Sequence, residues 1–261
     1  MRFLLLFLCV VAPVWCVKLR KFENFGPVAV FYIVGVPAPN FLKCNRSQPN
    51  LKECVFKAAQ HGISQMYKPY KKVRFPSVEP LEILEMSSSI NSNLIKLNEH
   101  LKDCKFFGVS RVNLTNFDFD LTERVIFAVG VFPKVEASCG YKLNGSVFTI
   151  PIYGEGVSKL DFTNFSMSLR LTYDEVTKNS KTYAKITSSK VDGMADNIHV
   201  EIGNLFNGDE DSGRRINQLI NDNWRELYDD IKDEHLEMPA QMFATLTAGF
   251  FSRVSLEEMF D

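Results

Sequence analysis

The feature that most constrains this chain is an alternation of apolar and polar residues between about Phe106 and Ile202. Between Phe165 and Tyr173, five apolar residues alternate with polar ones, and a second such row runs from Val125 to Val131. A period of two is typical of β-strands with one buried face. Turn-forming residues at 143–145, 153–156 and 178–180 divide the region into strands. The pattern therefore predicts an antiparallel meander with one apolar face and one wet face.

The period changes to that of a helix after residues 208–212. Apolar residues recur at helical spacing from Ile216 to Ile231, and after Pro239 from Met242 to Val254. About 40 residues at 1.5 Å each would form a rod roughly 60 Å long. Long antiparallel strands twist and coil, so we expect the sheet to curl around this rod. The predicted fold is α+β: a long C-terminal α-helix wrapped by a strongly curved antiparallel β-sheet, with an internal hydrophobic tunnel.

The tunnel would be lined by the apolar faces of both parts. Ordinary core packing is an equally good interpretation of each single wall residue. The candidates are Phe127, Val129, Phe148, Ile150, Met167, Leu169, Leu171, Trp224 and Phe243.

Composition limits the partners. The chain is 46% hydrophobic with 22 Phe, which suits either a large core or an apolar cavity. Its formal net charge is −1, whereas nucleic-acid binding requires a strongly basic face. We therefore expect a small hydrophobic ligand and no nucleic acid.

The first 16 residues have the features of a secretory signal peptide. Arg2 precedes an apolar run from Phe3 to Ala12, which is too short to span a bilayer. We predict cleavage near Cys16 and one domain over residues 17–261; a signal anchor is the alternative. The sequons at Asn45, Asn113, Asn144 and Asn164 are candidate glycosylation sites and fit a secreted, extracellular protein.

Four cysteines remain after the predicted signal peptide, an even number that favours disulfides in an exported chain. Cys44 and Cys54 bracket a short loop ahead of a predicted helix, and a bond between them would join that loop to the helix. Cys104 and Cys139 lie opposite one another if residues 104–120 and 123–139 form a hairpin. A bond there is geometrically demanding, so two buried free thiols are the alternative.

No catalytic or metal-binding pattern is present in the sequence. The four histidines lack metal-ligand spacing, and there is no G-x-S-x-G motif. The acidic run 209–211 lacks the rest of a calcium loop and is interpreted as a solvated turn and acidic helix start. A basic cluster of Lys68, Lys71, Lys72 and Arg74 is interpreted as a solvated loop, with membrane docking as the alternative. We predict no enzyme activity, no metal and no cofactor.

Seven segments carry a resemblance to the takeout / juvenile-hormone-binding protein family of insects. They are residues 44–54 (CNRSQPNLKEC), 77–83 (SVEPLEI), 141–145 (YKLNG), 150–156 (IPIYGEG), 204–208 (NLFNG), 216–224 (INQLINDNW) and 254–260 (VSLEEMF).

The resemblance implies the tubular lipid-binding fold and carriage of a small lipophilic ligand, such as a juvenile-hormone-like terpenoid or a fatty acyl compound. It also implies a circadian, feeding or chemosensory role. No Cys follows residue 139, whereas juvenile-hormone binders have a late second disulfide, so the chain is more similar to the takeout branch. We expect a monomer with membrane or receptor contact for ligand delivery. A lipid-interaction protein that engages a membrane or receptor without transport is the alternative function.

Overall fold

The computed structural model describes residues 16–19, 42–65 and 76–261. Most of the predicted signal peptide and the whole basic cluster at 68–74 lie outside these residues; Cys16 begins the first strand. The strands are β1 (Cys16–Leu19), β2 (Leu81–Asn91), β3 (Ile95–Phe107), β4 (Asn113–Asp120), β5 (Val125–Val147), β6 (Ile150–Lys178), β7 (Lys181–Met194) and β8 (Asn197–Ile202). The helices are α1 (Leu51–Gln65), α2 (Glu210–Asp222), α3 (Trp224–His235), α4 (Glu237–Phe251) and α5 (Leu256–Met259).

All eight strands belong to one antiparallel sheet, as the alternating pattern predicts. The order is β1-β2-β3-β5-β6-β7. β4 also pairs with β5, following β3 along the same edge of that strand, and β8 also pairs with β6, along the edge that β7 occupies. β5 has 23 residues and β6 has 29, several times the usual length of five or six. The sheet is strongly curved, and the α+β fold class is confirmed.

The turns differ in part from the prediction. Asn179 and Ser180 form the predicted β6–β7 turn with positive φ, but residues 143–145 and 153–156 lie inside β5 and β6. The β5–β6 turn is Phe148–Thr149, with φ of 48° and 69°. Gly154 and Gly156 serve close packing instead: a Cβ on either would come within 3 Å of the backbone carbonyl oxygen of Asn204 or Gly203.

The predicted C-terminal rod consists of three consecutive helices. Single residues, Asn223 and Leu236, separate α2, α3 and α4. Pro239 is not itself the break. It occupies the first turn of α4, where a missing N–H is tolerated. The break between α3 and α4 is at Leu236, just before that turn.

The acidic run after Gly208 begins α2. The Asp209 carboxylate accepts hydrogen bonds from the backbone N–H of Ser212 at 3.1 Å and from its hydroxyl at 2.9 Å. These bonds lower the pKa of Asp209, the backbone bond being the larger cause. The run is therefore a helix cap, as the sequence indicates.

Two side-chain amides fasten α2 to the edge of β8. Asn217 Oδ1 accepts from the backbone N–H of Ile202 at 2.8 Å, and its Nδ2 donates to the carbonyl of the same residue at 2.9 Å. Asn221 makes the same pair of bonds to Val200, at 2.8 and 2.9 Å. The two asparagines are four residues apart on α2, so they face the strand one turn from each other.

Both predicted cysteine pairs are disulfides. Cys44–Cys54 joins the segment before α1 to its first turn. Cys104–Cys139 joins β3 to β5, and Cys104 is fully buried. The predicted 104–120 strand is divided into β3 and β4 by a 3₁₀ turn at Val109–Arg111, and both parts pair with β5.

We expect the two disulfides to contribute unequally to stability. They close loops with sequence separations of 35 for Cys104–Cys139 and 10 for Cys44–Cys54. Loop entropy then gives a loss of about 4 kcal/mol for the Cys104→Ala/Cys139→Ala variant and about 3 kcal/mol for Cys44→Ala/Cys54→Ala. Urea unfolding of both variants measures these losses, and a larger loss for the Cys44/Cys54 pair would contradict the expectation.

Candidate ligand-binding cavities

Two apolar cavities lie between the sheet and the helices. The larger has a volume of about 550 Å³ and the smaller about 320 Å³. α1, β4, β5, β6, α4 and the last residues of the chain enclose the larger cavity. β2, β3, β5, β6, β8 and the helices α2 to α4 enclose the smaller one.

The cavities adjoin each other. Val109, Phe132, Met167 and Phe243 line both of them. Phe132 is 5% exposed and its ring lies 6.4 Å from that of Phe165, measured between centroids. Side chains from the sheet and from α4 therefore form the boundary between the two spaces.

The inward-facing residues of β5 change parity at this boundary. Ile126, Ala128 and Phe132 face the larger cavity, whereas Val135 and Ala137 face the smaller one. The change occurs around Pro133 and Lys134. On β6 the parity changes between Phe162 and Phe165, beside Asn164, whose φ is 47°. β5 and β6 thus exchange their inward and outward faces at the same level of the sheet.

Two tyrosines on the wall of the smaller cavity are satisfied by backbone carbonyls. Tyr141 donates its hydroxyl to Gly203 at 2.7 Å, and Tyr228 donates to Gly193 at 2.9 Å. Burial raises the pKa of Tyr141 and raises that of Tyr228 to about 12. Both hydroxyls therefore stay protonated at physiological pH and remain donors to these carbonyls.

The last residues of the chain close one end of the larger cavity. Met259 and Phe260 line it, and Phe260 packs edge-on against Phe119 at a centroid distance of 5.3 Å. The carboxylate of Glu257 accepts the backbone N–H of Thr182 at 3.0 and 3.1 Å, which joins α5 to the start of β7.

The structure places five of the nine predicted wall residues on the cavities. Met167 and Phe243 line both, Leu169 and Leu171 line the larger, and Trp224 lines the smaller.

The other four lie outside both walls. Phe127 and Val129 alternate with the inward Ile126 and Ala128, so the pleat directs them to the outer face of the sheet. Phe148 is in the β5–β6 turn and packs beside the core, and Ile150 follows it, 42% exposed.

The sequence prediction missed the inward row of β5 and the contribution of α1. Residues 125–132 (VIFAVGVF) are apolar at both parities, so alternation gives no preference there. Pro133 is the one local signal of the reversal, because proline interrupts a strand ladder. The missed wall residues include Ile126, Ala128, Phe132, Val55, Ala58 and Val109.

All four sequon asparagines, Asn45, Asn113, Asn144 and Asn164, are exposed. Among the described residues, no helix is long and apolar enough to cross a membrane. The same part of the chain contains no group of three His, Cys, Asp or Glu side chains placed to hold a metal.

The sequence and the fold both match a known class of haemolymph proteins. The model of the haemolymph juvenile hormone binding protein family matches residues 27–261, and the chain belongs to this family. It is 20% identical over 234 residues to the circadian clock-controlled protein daywake of Drosophila yakuba, covering 87% of this chain and 88% of that protein. The Drosophila melanogaster daywake protein is 21% identical over 235 residues, covering 87% and 89%. The crystal structure of Epiphyas postvittana Takeout 1 is similar in fold, with a TM-score of 0.73 at 19% identity, over 84% of this chain and 99% of that one.

Acid should weaken the closure of the larger cavity. Hydrogen bonds, first of all from the backbone of Thr182, lower the pKa of Glu257 from 4.5 to about 2. The ionised carboxylate therefore stabilises the fold above about pH 4.5, and this contribution is lost as the pH falls toward 2. We expect the thermal unfolding midpoint of the wild type to fall more steeply over this range than that of Glu257→Gln.

The exposed Glu175, near the same β6–β7 turn, provides the matched control. Glu175→Gln should keep the wild-type slope of unfolding midpoint against pH. Equal slopes for the wild type and Glu257→Gln would contradict the role of this carboxylate.

Proposed function

We propose that this protein is a secreted carrier that holds a small hydrophobic ligand in its two adjoining cavities. The observation that supports this most directly is the size and apolar character of those cavities. Protein interiors are close-packed, and leaving large voids costs stability. Volumes of about 550 and 320 Å³ are in the range of small-molecule sites, so the proposed role of this space is to accept a guest.

The proposed binding mechanism is desolvation. Each buried CH₂ group contributes about 0.8 kcal/mol, so a chain of about ten carbons gains about 8 kcal/mol before the cost of association is subtracted. We propose a juvenile-hormone-like terpenoid or a fatty acyl compound as the ligand. A ligand longer than one cavity would displace the shared side chains Phe132 and Phe243 and convert the two spaces into the tunnel that the sequence predicts.

The physiological setting is part of the same proposal. We propose secretion after removal of residues 1–16, a monomeric carrier, and delivery by contact with a membrane or receptor. Family membership supports the proposal, as do the exposed sequons and the two disulfides. A circadian, feeding or chemosensory role is also proposed; the Drosophila relatives are named as clock-controlled proteins. Protein abundance followed over a light–dark cycle tests the circadian part.

Filling the larger cavity should weaken binding. Ala128 lines it, so Ala128→Phe places a ring where the ligand would lie. Displacing about two CH₂ groups of ligand lowers affinity about tenfold. Titration of a fluorescent apolar probe and its displacement by a fatty alcohol measure the change.

The neighbouring residue provides the control, because Val129 faces the opposite side of the same strand. Val129→Phe should bind with wild-type affinity. Equal effects of the two variants would contradict the larger cavity as the binding site.

Native mass spectrometry of the protein secreted from insect cells tests the carrier function directly. We expect a bound small molecule that organic solvent extracts and that matches an apolar compound of the medium or cell. Protein that neither co-purifies with such a compound nor takes up any apolar probe would contradict the proposed function.

A further inference from the structure

One strand in the wall of the smaller cavity has a charged position among aliphatic ones. Ile95, Leu97, Glu99 and Leu101 alternate along β3, and all four line this cavity. Alternate residues of a strand share a face, so Glu99 is on the same side of the sheet as its three aliphatic neighbours. Glu99 is half-buried, so its carboxylate is a polar group at the edge of an otherwise aliphatic row.

Only one of the two oxygens of this carboxylate accepts a hydrogen bond from the described residues. Across the sheet, Glu99 is paired with Ser88 on β2 and with Leu143 on β5. The Ser88 hydroxyl, 7% exposed, donates to Oε1 of Glu99 at 2.6 Å. Within residues 16–19, 42–65 and 76–261, no other donor or cation bonds to Glu99. Since an ionised carboxylate has about four acceptor positions, Oε2 is an open acceptor.

The other polar groups on this wall are either occupied or uncharged. The tyrosine hydroxyls donate to the backbone, and Lys159 forms an ion pair with Glu201 at 3.1 Å. Ser158 and Trp224 carry neutral groups. Glu99 is thus the charged group of the smaller cavity that lacks an ionic partner in the described chain.

The polar side chains of the larger cavity have partners within the protein. Ser110 donates to Glu79, Thr247 to the carbonyl of Phe243 and Lys43 to Asp261, and Glu258 accepts from the hydroxyl of Ser255. A polar ligand group would therefore find its unoccupied charged partner in the smaller cavity and not in the larger one.

We propose that Glu99 is a head-group site that selects apolar ligands ending in a hydrogen-bond donor, a hydroxyl or a protonated amine. The donor binds Oε2, and the apolar chain extends along Leu101 toward Phe132 and Phe243. A ligand that ends in an ionised carboxylate is rejected, because two like charges would be brought together in an apolar space. This inference rests on the proposed carrier function and specifies its ligand class.

The test compares decan-1-ol, decylamine and decanoate, which share a chain length and differ in the head group. Each competes at neutral pH with a neutral fluorescent probe bound to the full chain. We expect the wild type to bind the alcohol and the protonated amine at least about tenfold more tightly than decanoate, the scale of one charge-assisted hydrogen bond. In Glu99→Gln, decylamine should lose about tenfold in affinity and decanoate should gain.

Glu155→Gln is the matched control. Glu155 lies on the outer face of β6, 71% exposed and 3.4 Å from Lys142, so the same change of charge occurs outside the cavity. Its ligand order should equal that of the wild type. The melting curve and probe affinity of Glu99→Gln establish that the variant is folded.

The outcomes separate the two proposals. A wild type that binds the probe and all three compounds without preference, or an unchanged order in Glu99→Gln, overturns the head-group site and leaves the carrier function intact. An order that changes equally in Glu155→Gln also overturns it, because the effect would then come from net charge. Absence of binding by the probe and by all three compounds overturns the carrier function itself.

Discussion

The pairing of β5 with β6 is the interaction on which the rest of this structure depends. The two strands pair from the Val147–Ile150 end to the Val125–Thr172 end, and every other strand except β1 and β2 pairs with one of them. Over such lengths the twist of each strand accumulates and curves the sheet. The helices then cover the apolar face of a curved surface that they do not fill, and the two cavities occupy the difference.

The division of this space into two follows from the backbone. β5 and β6 exchange their inward and outward faces around Pro133 and Asn164, and the boundary residue Phe132 lies directly beside that level. Phe132 lies at this reversal, and its bulky side chain lines both cavities. Cavity shape is therefore controlled by a local change of pleat as well as by the choice of side chains.

The sequence predicted the parts of the fold where a period is unambiguous. Alternation with polar residues at 165–173 assigned Met167, Leu169 and Leu171 to the inner face, and the structure places them on the cavity wall. On β5 both faces are apolar, so the choice of Phe127 and Val129 had no physical basis, and the pleat places them outside. Gly154 and Gly156 were interpreted as a turn because a close contact with a distant loop leaves no sign in the local sequence. For the same reason the exceptional position of Glu99, which depends on Ser88 and Leu143, could be recognised only in the folded sheet.

The amides of Asn217 and Asn221 have a consequence for the outer border of the sheet. They supply the backbone of β8 with the donor and acceptor pairs that a further strand would otherwise supply. A helix thus takes the place of a neighbouring strand, and the groups at Val200 and Ile202 that would template another chain are already bonded. This border of the sheet is in this way protected from strand pairing with other copies of the chain.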